Sequence, residues 1–252
     1  MVRVVTAAAA AAAENIPATK TQQKDGGHME QLLEKLPYWN ALNQNEREMV
    51  RQAAIIRKYK PGFVLHGNSD AGNSCLGMIY VISGGVRAFV VSNEGREITL
   101  FFLEPTATCV LSASCLISQI HFETQLVVTK ESEILVIPAS VFGKLTQDNI
   151  HVRCFMYELS TQRFSDFMWV VEQMLFQRFD QRLASFFLVQ YEKNGIPEVR
   201  MTQEQIAQNI NSAREVVART LKQFSTDGLI EVKRGRIILK QLDGLKKLLR
   251  NP

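Results

Sequence analysis

The chain has 252 residues, 46% hydrophobic and 21% charged, with a formal net charge of +4, the profile of a globular protein with room for two cores. No apolar run approaches the roughly 18 residues of a membrane span. Cys75, Cys109, Cys115 and Cys154 form no C-x-x-C pair, which argues against a zinc ribbon and against a secreted disulfide scaffold and favours the cytoplasm.

Residues 1–28 open with one Arg and a Val/Ala run that faintly imitates a signal peptide. A polar, Gly-containing stretch follows and ends in His28-Met29, which has the look of a cloning junction. A disordered leader, native or cloning-derived, is expected here.

Residues 29–145 read as a sensor domain. A short helix over 43–54 leads into runs of β-forming residues separated by turns. These cover 55–60, 63–67, 75–82, 86–91, 97–103, 124–129 and 134–137, with Pro61-Gly62, Ser83-Gly84-Gly85 and 92–96 as punctuation. Short strands at this spacing predict an antiparallel sandwich or roll. A cupin-type metalloenzyme would need ligands clustered on adjacent strands. His28, His66, His121 and His151 form no H-x-H pair, so neither a metal nor an enzyme is expected.

A long helix is expected from about 142 to 178. Ile150, Cys154, Tyr157, Thr161, Phe164, Met168, Val171 and Leu175 recur at alternating spacings of 4 and 3, a heptad seam. Phe155, Leu159, Trp169 and Phe176 widen the apolar surface. One helix cannot bury so much against one domain, so residues 146–178 are expected to pair with a second copy in a parallel homodimer.

Residues 179–252 begin with a helix over 180–192, closed by Asn194-Gly195-Ile196-Pro197. Thr202 with Gln205, and Ser212 with Glu215, fit the S/T-x-x-E/Q capping box and predict two helix starts. In the second helix, over 212–224, Arg214, Glu215, Ala218, Arg219 and Lys222 share one face. Ala213, Val217, Leu221 and Phe224 share the other, predicted buried; Ile206, Ile210 and Ala207 bury the first helix. Two β-rich runs flank Arg234-Gly235, a hairpin with a basic tip. From Arg200 onward there are eleven basic and five acidic residues, a local excess suited to phosphate. Arg can bridge guanine O6/N7 and Glu can accept from cytosine N4, so this helix is expected to read double-stranded DNA in the major groove.

Roll, dimer helix and winged helix-turn-helix in this order resemble the cyclic-AMP receptor protein / fumarate-nitrate reduction regulator (Crp/Fnr) superfamily of bacterial transcription factors, from about Pro37 onward. The stretches 80–87 and 93–97 look like that family's roll hairpins, and Arg214-Glu215-x-x-x-Arg219 like its recognition helix. The resemblance implies an α+β fold. Its parts are an antiparallel β-roll (a cyclic-nucleotide-binding-like, double-stranded β-helix), a dimerisation helix and a winged helix-turn-helix. It implies guanine contacts for Arg214 and Arg219, a cytosine contact for Glu215, and phosphate contacts for Ser212, Thr202 and Gln203. It also implies a phosphate contact for Arg234 at the wing tip, with a thymine methyl for Val216, and RNA polymerase as a partner.

The ligand motif departs from the family. Cyclic-nucleotide binders carry Gly-Glu-Leu and then Arg-Ser/Thr-Ala, whereas here the Arg-Ser/Thr position reads Glu123-Thr124. A carboxylate facing a cyclic phosphate repels it, which argues against cyclic AMP as effector. The N-terminal cysteine cluster of the oxygen-sensing branch is missing, which disfavours an iron–sulfur cluster or haem without closing either off; no cofactor is expected. Cys109, Cys115, Glu123 and Thr124 are the effector-site candidates, with buried packing the favoured reading of the two cysteines. The competing reading is a metabolite-binding regulatory module that acts through protein contacts without reading DNA.

Overall fold

The computed structural model describes residues 26–66, 76–110 and 124–249. Contacts divide the chain into two units, Met1–Arg96 with Leu100–Asp166, and Glu97–Thr99 with Phe167–Pro252. The division falls inside the long helix, between Asp166 and Phe167.

Among the described residues the first unit opens with helix α1 (Gly26–Leu33), which takes in residues 26–28. A 3-10 turn (Trp39–Ala41) and α2 (Gln44–Ala53) follow. The α2 start is fixed by Asn43, whose side chain accepts from the Glu46 N–H while Glu46 accepts from the Asn43 N–H. Six strands form one antiparallel sheet: β1 (Ile55–Tyr59), β2 (Val64–His66), β3 (Met78–Val91), β4 (Glu97–Leu103), β5 (Thr108–Cys109) and β6 (Gln125–Ile137). Its main path runs β1-β6-β3-β4, with β2 on β6 and β5 on β3.

Strands 75–82 and 86–91 were expected as separate elements, as were 124–129 and 134–137. Each pair is one strand. The Ser83-Gly84-Gly85 stretch is a bulged section of β3 opposite β6, with register shifts at 81/83, 83/85 and 85/86. Gly84 adopts φ +91°, open to a residue without Cβ, and the Gly85 N–H donates to the buried Ser132 hydroxyl at 2.9 Å. The chain thus bends without leaving the ladder.

Both faces of the paired strands are covered, which explains their unbroken apolar runs. Ile79 and Val81 with Ile134 and Val136 fill the roll interior. Met78 and Tyr80 with Leu135 and Ile137 face the helical layer, where Leu33, Trp39, Val50 and Phe142 meet them.

The expected single helix over 142–178 is two. Helix α3 (Ala139–Asp148) ends at Asn149, which takes extended geometry at φ −120°, ψ 116°. Helix α4 (Ile150–Phe176) starts there, with Asn149 Oδ1 accepting from the His151 and Val152 N–H groups at 3.0 and 3.4 Å. Along α4, Val152, Met156 and Leu159 are buried in the core of the first unit and Phe155 packs against it. The heptad seam lies elsewhere on the helix: Ile150 is 58%, Tyr157 56%, Phe164 63%, Met168 46% and Leu175 70% exposed. Phe155 and Leu159 therefore do not widen the seam, whereas Trp169 and Phe176 are exposed.

The second unit contains α5 (Phe179–Asn194), closed by Gly195 in the left-handed region, and β7 (Glu198–Val199). Then come α6 (Gln203–Asn209), α7 (Arg214–Thr226), β8 (Ile230–Lys233), β9 (Arg236–Leu239) and α8 (Leu242–Leu248). Leu183 and Phe187 of α5, Ile206 of α6 and Val217 and Leu221 of α7 share one core with Ile230 and Ile237. No helix among the described residues is long and apolar enough to cross a membrane.

Candidate nucleic-acid interface

Helix α6 starts as its sequence requires. Thr202 is extended, its Oγ1 accepts from the Gln205 N–H at 3.1 Å, and Gln205 Oε1 accepts from the Thr202 N–H at 2.9 Å. The Thr202 hydroxyl proton is not used in that box and is free to donate outward.

The second capping box does not form. Asn211 sits at φ +52°, and the Ser212 N–H donates to the Ala207 carbonyl at 3.0 Å. That tight turn pushes the start of α7 one residue on. Ala213 is the N-cap, without a side-chain bond, and Arg214 is the first helical residue. The recognition helix therefore runs Arg214–Thr226 and not 212–224, and Ala213 is exposed rather than inward-facing.

The two faces of α7 divide as the helical period demands. Val217, Leu221 and Phe224 are 0%, 1% and 3% exposed. Arg214, Glu215, Arg219 and Lys222 are exposed, and Val216 and Ala218 half-buried. Among the described residues, no hydrogen bond or ion pair occupies the head groups of Arg214, Glu215, Arg219 or Lys222. A row of such groups on a solvent-facing helix is open to a partner in solution.

The wing is the β8–β9 hairpin, closed by Arg234 and Gly235 at φ +74°, with Lys233 opposite Arg236. Strand β7 adds to β9 as a third strand, an element the Ile196-Pro197 punctuation had concealed. Arg234 is exposed at the tip. The other wing cations are paired. Glu231 meets Lys240 at 2.7 Å and Lys233 at 3.1 Å; Glu198 meets Arg200 at 2.6 Å and Arg236 at 3.6 Å.

A groove of about 510 Å³ joins these elements, lined by Thr202, Gln203 and Arg214 together with Lys233, Gly235 and Arg236. Lys233 and Arg236 were missed as site residues; their place in a basic hairpin was the available signal.

Of the effector-site candidates, Cys109 is fully buried in β5 and Thr124 is buried just before β6. Cys115 and Glu123 lie outside the described residues. The first unit holds one buried and one half-buried guanidinium group, those of Arg87 and Arg163, that the sequence did not flag. Arg87 lies 4.5 Å from the Phe89 ring centroid and Arg163 4.4 Å from that of Phe101. Arg163 also pairs with Asp166 at 2.7 Å and donates to the Thr108 carbonyl at 3.3 Å. Among the described residues no group of three or more His, Cys, Asp or Glu is placed to hold a metal ion.

An antiparallel sheet followed by a long helix and a winged helix-turn-helix defines a DNA-binding regulator class, and the comparisons name it. Residues 181–248 match the model of the Crp-like helix-turn-helix domain. A Crp/Fnr-family protein from Eubacterium rectale ATCC 33656 is 36% identical, covers 86% of this chain and 100% of its own, and superposes with a TM-score of 0.78. Fold likeness extends to the global regulator CLP of Xanthomonas campestris at 18% identity, 78% and 99% coverage and TM-score 0.64. It extends also to FixK2 of Bradyrhizobium japonicum at 15%, 77% and 96% coverage and 0.60. No curated protein matches. The chain belongs to the Crp/Fnr family of transcriptional regulators.

Proposed function

We propose that the protein acts in the cytoplasm as a homodimer that binds a palindromic DNA site, one α7 per major groove, with half-sites about one helical turn apart. Arg214 and Arg219 bond guanines, Glu215 a cytosine, and Val216 touches a thymine methyl. Thr202, Gln203, Ser212 and Arg234 hold backbone phosphates, and RNA polymerase is the downstream partner. The α4 seam is the dimer contact. The roll senses a signal other than cyclic AMP and shifts the population between DNA-competent and incompetent arrangements. The effector site is drawn from Cys109, Cys115, Glu123 and Thr124.

The observation that carries this reading is the row of unpartnered Arg214, Glu215 and Arg219 head groups on the exposed face of α7. Selection from random duplexes tests it. The wild-type chain should enrich a palindrome, and Arg214→Ala should lose about 1–3 kcal/mol of affinity for it and relax its sequence preference. Unchanged site selection by Arg214→Ala would sink the assignment, and a wild-type chain that enriches no palindrome would favour the protein-contact module instead.

A further inference from the structure

One face of the wing sheet carries an ordered set of charges. Glu198 and Glu231 both lie opposite Ile238, one on each side of β9. By the two-residue period of strands, they share that face with Arg236 of β9 and Lys233 of β8; Lys240 directly follows β9 and reaches Glu231, and Arg200 lies two residues beyond Glu198. The four cations are held by the two carboxylates at 2.6 to 3.6 Å. Bonds from Arg200 and from Lys240 and Lys233 hold the Glu198 and Glu231 carboxyls below the ordinary carboxylate range. Both stay ionised at neutral pH. By contrast, Arg214, Arg219, Lys222 and Arg234 have no such partner among the described residues.

We propose that Glu198 and Glu231 are specificity-determining residues. They hold Arg200, Lys233, Arg236 and Lys240 in intramolecular pairs, limiting sequence-blind attraction to phosphate while leaving the base-reading arginines unopposed. This rests on the DNA-reading function proposed above. Phosphate contacts strengthen binding to every duplex alike, and a chromosome offers a vast excess of wrong sites. Restraining the non-specific term therefore raises the ratio that matters, a penalty against wrong partners rather than a gain for the right one. Lys233 and Arg236 line the same groove as Arg214 and Thr202, so the restrained cations stand at the interface itself.

The test uses the full chain, its selected site and a scrambled duplex of equal length, titrated with salt. Glu231→Gln and Glu198→Gln should tighten binding to the scrambled duplex. They should steepen its salt slope by about one unit per phosphate contact released and lower the selected-to-scrambled ratio. Glu231→Asp, which keeps the charge, should behave as wild type. Unchanged scrambled affinity and slope, with wild-type discrimination intact, would overturn the proposal. A loss of affinity for both duplexes would overturn it too, showing the carboxylates to be braces of the hairpin. If the wild-type chain discriminates no site at all, the DNA-reading function falls first and takes this inference with it.

Discussion

Arg51 of α2 grips Glu30 of α1 through two bonds, Nε to Oε2 at 2.8 Å and Nη2 to Oε1 at 2.6 Å, while its guanidinium lies 5.4 Å from the Trp39 ring centroid. A two-point pair stacked on an aromatic ring joins the first helices of the roll unit. Its energy is tempered by water, since the Arg51 and Glu30 side chains are 30% and 33% exposed.

The pair sets an acid limb for stability. The Arg51 hydrogen bond holds the Glu30 carboxyl below the ordinary carboxylate range. A lowered folded-state pKa stabilises above the unfolded value and stops doing so as pH falls through the folded one. Glu30→Gln should therefore cost about 0.5–1 kcal/mol at pH 7. The difference from wild type should shrink as the solution is acidified below about pH 4.5. Denaturant melts from pH 7 to pH 3 check this; a gap that stays constant across the series would refute it.

Gly84 is fixed by space as well as by its backbone angle. A Cβ there would meet the Ser132 hydroxyl, and would lie 2.5 Å from the Glu131 carbonyl oxygen and 2.6 Å from the Ser132 Cα. Gly95 at φ +80° has nothing within 4 Å of such a Cβ. Gly84→Ala should therefore cost about 2–3 kcal/mol and Gly95→Ala about 1 kcal/mol. Equal melting shifts for the two variants would deny that β6 presses on the bulge.

Phe164 is 63% exposed in the single chain and lies on the proposed dimer seam. Phe164→Glu would set two like charges against each other in an apolar contact. It should weaken self-association by about 100-fold or more, from roughly 3 kcal/mol per uncompensated charge. Sedimentation over a concentration series reads this directly. A wild-type chain that sediments as a monomer, or a variant that dimerises as well as wild type, would remove the seam from that role.

The parts legible in the sequence were those set by local period or local bonding. The α7 faces followed because Val217, Leu221 and Phe224 recur at helical spacing, and the α6 start because Thr202 and Gln205 bond only to nearby backbone. Ser212 and Glu215 fit the same motif, yet the left-handed Asn211 and the Ala207 carbonyl capture the turn first. The bulge at Gly84 and the break at Asn149 were illegible for a shared reason. Each depends on a partner far along the chain: Ser132 for the first, the Ala41 carbonyl and Glu46 for the second. The wing charges were counted correctly in bulk, but their pairing with Glu198 needs β7 beside β9.

The Asn149 side chain has a consequence beyond dividing a helix. Its amide donates to the Ala41 carbonyl at 3.1 Å and to Glu46 Oε2 at 3.0 Å, and that same oxygen takes the Asn43 N–H at 2.7 Å. One oxygen atom thus serves as a common hinge pin for helices whose beginnings lie about a hundred positions apart. Loosening it frays both together, so damage done early in the polypeptide surfaces at the root of its longest rod.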